Sequence, residues 1–337
     1  AELSANHGGS IDSAKLAISV AKENGASAVK IQTYTPETMT IQCEKPDFKI
    51  KNGLWKGYTL FDLYKDAYTP FEWHKELFEF AKDKDITLFS SPFDETAVDL
   101  LQSLNAPAYK IASFELVDLP LIKRAAECGK PLLMSTGMAS IDEVRDALNV
   151  ALKYGCGDVL LFHCISSYPA PTVDSNLKNI EFLKNEFNVE VGLSDHTMSN
   201  LASTISIGLG ASAIEKHFKP SDDAVGPDST FSLSPIQLKS LVNDCNDAWK
   251  SIGKSGFYRS SAEGEASKYR RSIYFMNNLK KGDEIKSTDI RAIRPGFGLS
   301  PKYINFIIGK HVNCNVERGD PVSFDLITEK IKKNYVF

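Results

Sequence analysis

Residues 213–218 read Ala-Ile-Glu-Lys-His-Phe, two apolar residues running directly into an acid, a base and an imidazole. A buried strand that ends in ionisable groups belongs at the rim of a cavity, because charge inside a core is costly unless it is paired or used. The pattern recurs upstream in "VKIQT" from Val29, "LFSS" from Leu88, "YKIAS" from Tyr109, "LLMST" from Leu132 and "VGLSD" from Val191. Candidate strands lie at 1–4, 28–32, 87–90, 108–112, 131–135, 159–163, 190–194 and 213–217. Stretches of helical period follow each one, at 10–24, 70–84, 95–103, 118–128, 140–153, 176–186, 200–208 and 235–252. Eight βα units within about 250 residues predict an α/β protein built on a closed (β/α)8 TIM barrel. A doubly wound sheet would use the same units, but no G-x-G-x-x-G follows the first strand.

After the eighth helix the texture changes. Residues 253–271, with Gly253, Gly256, Ser260, Ser261 and Gly264, read as a linker, and residues 272–337 as a small, mostly β module. Within that module "LKKGDEIKSTDI" from Leu279 and "VERGDPVSFDLI" from Val316 align at an offset of 37 residues, which implies two similar turns related by pseudo-symmetry. The barrel domain is thus expected over 1–252. Residues 34–68, between the second strand and its helix, exceed ordinary loop length and read as a functional βα loop. Trp55, Tyr58, Phe61 and Tyr64 would make it an aromatic lid, or else a packed crossover helix.

Charge and cysteine usage exclude several classes of function. The 39 basic residues are balanced by 43 acidic ones, for a net charge of −4 with no basic block to track a phosphate backbone, so nucleic acid is not an expected partner. No apolar run reaches membrane-span length and nothing near the start resembles a signal peptide, so no membrane partner and a cytoplasmic location are expected. The six cysteines are scattered without a C-x-x-C and read as reduced thiols.

Barrel enzymes carry their chemistry at the C-terminal ends of the strands. Those ends hold Glu2, Asn6 and His7; Lys30 and Gln32; Ser90 and Ser91; Lys110, Ser113 and Glu115; Ser135 and Thr136; His163, Ser166 and Tyr168; Ser194, Asp195 and His196; and Glu215, Lys216 and His217. Strand alternation puts Glu215 and His217 on one face and Lys216 on the other. Two lysines among serines suit a small, multiply charged anion such as a phosphate. His196 and His217, from neighbouring strand ends, suit one divalent cation completed by substrate oxygens or water. His163 reads as structural, and His74 and His311 as surface positions.

The motifs "AELSANHGGS", "VKIQTYTPETMT", "FSSPFD", "PAYKIASFE", "LLMSTGM", "GLSDHT" and "AIEKHF", in this order and followed by "IRPGFG", resemble the sialic acid synthase family across essentially the whole chain. "GLWKGYTLFDLY" and "AYTPFEWHKELFEFA" look most like its pseudaminic branch. The resemblance implies a transferase that condenses phosphoenolpyruvate with an open-chain 2-acetamido sugar, releasing phosphate and giving a nine-carbon 2-keto acid. It implies a divalent metal, Mn2+ or Mg2+ and possibly Co2+, on His196 and His217. It implies an antifreeze-like (SAF, β-clip) module at the C-terminus that reaches across a domain-swapped homodimer. Carried over residue by residue, Lys30, Lys110, Ser113, Ser135, Ser166 and Ser194 would surround phosphoenolpyruvate. Gln32, Glu115, Tyr168, Asp228 and Arg294 would contact the sugar, Arg294 being the arginine lent to the partner. Glu2 and Glu215 are both placed to move a proton. Ser166 departs from the asparagine of the N-acetylneuraminate synthases, which favours a 2,4-diacetamido-2,4,6-trideoxy sugar over N-acetylmannosamine. A Schiff-base aldolase using Lys110 and a non-catalytic sugar-binding protein are the rival readings.

Overall fold

The computed structural model describes residues 1–258 and 260–328. Residues 329–337, the end of the expected C-terminal module, lie outside the described residues. The chain forms two compact units, Ala1–Gly253 and a second beginning at Lys254.

The first unit is a parallel barrel. Its strands β1 (Ala28–Thr33), β2 (Thr87–Pro92), β3 (Tyr109–Ile111), β4 (Leu132–Ser135), β5 (Val159–Cys164), β6 (Glu190–Ser194) and β7 (Ile214–Glu215) pair in chain order. The expected first strand over 1–4 proves to be a single bridging residue. Glu2 pairs in parallel with Lys30 on one side and His217 on the other. The Glu2 N–H donates to Lys216 O at 2.9 Å, and the Phe218 N–H donates to Glu2 O at 2.8 Å. One residue therefore closes the ring. The chain turns away at Ser4, whose φ of 46° ends extended geometry. The expected last strand is likewise shortened to Ile214–Glu215, with His217 and Phe218 held by isolated bridges.

Alternation along the strands sorts the core from the site. Val29, Ile31, Tyr109, Ile111, Leu132, Met134, Leu161, Val191 and Leu193 point outward into the helix layer and are buried. The helices begin where short polar side chains cap free N–H groups. Ser10, Asp94 and Asp118 accept first-turn amides, and Ser140 with Glu143 and Ser234 with Gln237 form capping boxes. The 34–68 segment contains helices Pro36–Met39 and Leu60–Ala67, the second capped by Thr59. Among the described residues no helix is long and apolar enough to cross a membrane.

The second unit has its own core of Ile273, Phe275, Ile285, Ile290, Ile307, Val312, Val316, Val322 and Ile327. Its strands β8 (Ser272–Phe275) and β9 (Ile290–Ile293) pair antiparallel. The two sequence repeats pair with each other: Leu279 and Val316 exchange backbone hydrogen bonds at 3.0 and 2.9 Å. The contacts of the two turns recur at the same offset. Asp283 caps the Lys280 N–H at 2.8 Å as Asp320 caps that of Glu317 at 2.8 Å. Asn315 accepts from the Lys281 N–H at 2.9 Å as Asn278 accepts from that of Arg318 at 2.8 Å. Gly282 and Gly319 both sit at the left-handed φ, 94° and 99°, that these turns require.

Candidate active site

The inward strand positions converge on a cavity of about 400 Å3 at the C-terminal mouth of the barrel. Its lining contains Glu2, Lys30, Gln32, Lys110, Ser113, Glu115, Ser135, Ser166, Tyr168, Ser194, His196, Glu215, His217 and Asp228. Of the expected site residues, Arg294 is the one that belongs to the second unit, where it follows β9 and is exposed.

The floor is ionic. Lys30 Nζ lies 2.6 Å from Glu2 Oε2 and 3.7 Å from Glu215 Oε1, and donates to Ser91 Oγ at 3.2 Å. Lys110 Nζ donates to Glu215 Oε2 at 2.6 Å and stands 4.4 Å from the centre of the Phe162 ring. Gly192 makes room for that ring, since a Cβ there would lie 2.7 Å from it and 2.6 Å from Ala213 O. The two carboxyls are driven apart. Burial pushes Glu2 up, with Lys30 opposing it only in part. Burial also acts upward on Glu215, but Lys110 and Lys30 together outweigh it and hold this carboxyl well below the usual range. Burial lowers Lys110.

Hydroxyls line the adjoining wall. Ser113 Oγ accepts from the Gly137 N–H at 3.2 Å, and Ser194 Oγ donates to Glu215 Oε1 at 3.3 Å. Ser135 Oγ is buried with no hydrogen-bond partner among the described residues. Gly137 closes the Ser135-Thr136-Gly137 run at the expected strand end, and a Cβ there would fall 2.2 Å from Ser166 Oγ and 2.7 Å from Ser113 Oγ. Glycine is therefore required for both hydroxyls to approach its backbone this closely.

The imidazoles of His196 and His217 face each other with ring centres 5.4 Å apart. His196 Nδ1 lies 2.9 Å from Ile165 O; a carbonyl only accepts, so Nδ1 carries the proton and Nε2 keeps its lone pair. Burial works against a charged His196, but Cys164 beside it raises the group on balance. His217 is kept neutral chiefly by burial, and its Nδ1 is a buried nitrogen with no hydrogen-bond partner among the described residues, 4.0 Å from Asp228 Oδ2. An orphaned imidazole nitrogen beside a second one fits a divalent cation. Among the described residues no cluster of three or more His, Cys, Asp or Glu is arranged around one, so the remaining ligands would be substrate oxygens and water.

On the third side Gln32 Nε2 donates to Ser4 Oγ at 2.9 Å and to Glu2 Oε1 at 3.2 Å, and Ser4 Oγ donates to Asp228 Oδ2 at 2.5 Å. Ser4 is thus a site residue that the sequence reading passed over. Tyr168 packs on His196 at 4.3 Å between ring centres. The 34–68 segment covers this side. Trp55 donates from Nε1 to Pro227 O at 3.0 Å and packs 5.9 Å from Tyr168, and Met39, Ile50, Leu60, Leu63 and Tyr64 join the lining. Tyr58 and Phe61 of the expected aromatic lid are not among the lining residues.

The other strand-end groups are structural. Lys216, on the outward face as alternation requires, donates to Asp195 Oδ2 at 2.7 Å, Thr197 O at 2.7 Å and Ser199 O at 3.0 Å. Asn6 donates to Phe218 O and Ser232 Oγ, and His163 Nε2 bonds Ser175 O at 2.7 Å. His311 is exposed, but His74 is fully buried and not a surface residue, with Nε2 2.8 Å from Thr33 Oγ1.

The NeuB family profile matches residues 17–256 and the SAF domain profile residues 270–328. The pseudaminic acid synthase of Helicobacter pylori is 40% identical over 332 residues, 98% of this chain and 98% of that protein. The enzyme of the same name from Campylobacter jejuni is 40% identical over 320 residues, 95% of this chain and 93% of that protein. Among solved structures, the N-acetylneuraminic acid synthetase of Leptospira borgpetersenii superposes with a TM-score of 0.70 at 29% identity, covering 79% of this chain and 88% of that one.

Proposed function

This chain belongs to the NeuB family, and on that premise we propose that it is a synthase of pseudaminic acid. It condenses phosphoenolpyruvate with the open-chain aldehyde of 2,4-diacetamido-2,4,6-trideoxy-altropyranose, giving a nine-carbon 2-keto sugar acid and phosphate. The observation that carries this reading is the convergence of two lysines, two imidazoles and the carboxylates Glu2 and Glu215 on one cavity that Gln32, Tyr168 and Asp228 also line.

The residues divide the work by their chemistry. Lys30 and Lys110, with the hydroxyls of Ser113, Ser135, Ser166 and Ser194 and the Gly137 N–H, replace the hydration of a trianionic substrate. Glu215, ionised by its two lysines, keeps them in register without competing for a proton. Glu2, pushed up by burial, is the carboxyl with the basicity to move one. C3 of the enol attacks the aldehyde carbon, whose oxygen gains a proton. Water adds at the resulting cationic C2, and the C2–O bond to phosphate breaks to leave the ketone. Glu2, within reach of Gln32 and Lys30, takes the proton of that water. A divalent cation on His196 and His217, Mn2+, Mg2+ or Co2+, supplies Lewis acidity for the aldehyde oxygen when bound. Gln32, Tyr168 and Asp228 orient the sugar, and Arg294 serves its acetamido group in the barrel of a partner within a domain-swapped homodimer. A cytoplasmic location accords with the use of phosphoenolpyruvate.

The test is phosphate release from phosphoenolpyruvate with a panel of N-acetylmannosamine and the 2,4-diacetamido-2,4,6-trideoxyhexoses of altro and manno configuration. Turnover with the altro sugar above the others supports the assignment. Preference for the manno sugar or for N-acetylmannosamine would make the chain a legionaminic acid or N-acetylneuraminate synthase instead. A borohydride-trapped Lys110 with no phosphate released would replace it by an aldolase.

A further inference from the structure

Two loops meet at the barrel mouth, and one side chain joins them. Residues 4–9 leave the ring after the closing bridge at Glu2, and residues 219–232 run from Phe218 to Leu233, which pairs back onto it. The loops lie against each other, since a Cβ at Gly226 would fall 3.0 Å from Ala5 O. Backbone bonds tie the second loop at its base, from the Leu233 N–H to His217 O at 2.8 Å and from the Lys219 N–H to Leu233 O at 3.0 Å. Asp228, farther along this loop, is tied by side chains.

Asn6 is buried and binds no ligand, but what it holds belongs to the site. Its Nδ2 donates to Phe218 O, next to His217, and to Ser232 Oγ, both at 2.8 Å. Ser232 Oγ donates in turn to Asp228 O at 2.6 Å. Donor counting fixes each direction. Phe218 O only accepts, so the amide nitrogen must face it. The Ser232 hydroxyl has one proton, which goes to Asp228 O, so it must accept from Asn6. Asn6 Oδ1, turned away, is left buried with no hydrogen-bond partner among the described residues. Both N–H groups are thus spent on the two chain segments, at the cost of an unpaired acceptor.

We propose that Asn6 is a positioning residue that sets the Asp228 carboxylate against the His217 imidazole, 4.0 Å away, by holding the backbone of both segments. One arm acts directly at Phe218 and the other through Ser232. This rests on the function proposed above, in which Asp228 orients the sugar. A displacement of about 1 Å at such a pair, far smaller than the loop itself, is enough to cost up to about a hundredfold in rate.

The test measures kcat and KM for the sugar that wild type prefers in the panel above, with a calorimetric Kd for phosphoenolpyruvate, on the full-length enzyme. Asn6→Ala should lower kcat/KM for the sugar about 30-fold and leave the phosphoenolpyruvate Kd within about threefold, which also shows that the barrel has folded. Asn6→Asp keeps the shape but donates nothing, so it should lose at least as much; a side chain that merely filled space would lose least there. Ser232→Ala cuts the Asp228 arm alone and should raise KM for the sugar about tenfold with kcat held, a readout that survives if the Asn6 variants fail to fold. In an Asp228→Ala background the Asn6→Ala loss should shrink below about fivefold, because only the Phe218 arm is left to lose. Losses that multiply in full with Asp228→Ala, wild-type kinetics in Asn6→Asp, or a phosphoenolpyruvate Kd that rises in step with the sugar KM would overturn the role while leaving the synthase reading intact. Wild-type enzyme that releases phosphate with no sugar of the panel would defeat both together.

Discussion

Lys110 and Lys216 are both buried, and both are held against a carboxylate by a hydrogen bond of 2.6 to 2.7 Å. They belong to different regions with different tasks. Lys216, outside the ring of strands, has an acceptor for each of its three donors, so nothing is left for a ligand. Its acceptors Thr197 O and Ser199 O fix the loop that follows His196. Lys110, inside the ring, hydrogen-bonds Glu215 and otherwise meets the face of Phe162, which leaves donor capacity at the cavity. Burial alone does not mark a functional lysine; unspent hydrogen-bonding capacity does.

The comparison can be broken experimentally, most directly at Lys110. Lys110→Met should lower kcat/KM by about 10³-fold or more while changing stability little, because Glu215 keeps Lys30 as a counter-ion. Steady-state kinetics with a urea melt decide it, and a variant that unfolds as readily as it loses activity would erase the contrast. Lys216→Met should do the reverse, costing about 3–5 kcal/mol of stability by stranding Asp195, with phosphoenolpyruvate affinity of the folded protein within about threefold of wild type. Inorganic phosphate sharpens the distinction. At 100 times its Kd it should stabilise wild type and Lys216→Met by about 2.7 kcal/mol and leave Lys110→Met unmoved.

Acid should also separate Lys110→Met from Ser203→Ala, which removes a hydrogen bond to Asp195, the partner of Lys216. Glu215 is depressed in the folded state, so its stabilising contribution is present above its unfolded pKa and is lost as pH falls through the folded value. Removing Lys110 raises the folded value, so the acid limb of a stability–pH curve should become shallower in Lys110→Met and keep its slope in Ser203→Ala. The smallest effect is that of Ser203→Ala itself. It deletes one 2.6 Å hydrogen bond to Asp195 and should cost about 1 kcal/mol in a denaturant titration, with kinetics unchanged.

Much of this was legible in the order of residues. Period-two alternation put Glu215 and His217 on one face and Lys216 on the other, and the structure keeps that parity. The repeat at an offset of 37 residues became a pair of matched turns that bond to each other. His74 was misread, although the signal was there: His74, Leu77 and Ala81 recur at helical spacing along Phe71–Asp83 and form its buried stripe. The "AELS" run was given too long a strand, since a left-handed residue at Ser4 leaves no mark that a serine would show.

The sequence by itself determined the barrel, its eight mouths and the chemical types gathered there, because strand and helix periods are local and each strand end carries its own polar residue. Only the tertiary structure decided which of those polar groups were spent on one another and which were left over. Hydrogen bonds such as Ser4 to Asp228, Lys216 to Ser199 and Trp55 to Pro227 join residues far apart in the chain. Whether a buried group holds the fold or awaits a ligand depends on the partners that ring closure brings within about 3 Å, and no local pattern records them.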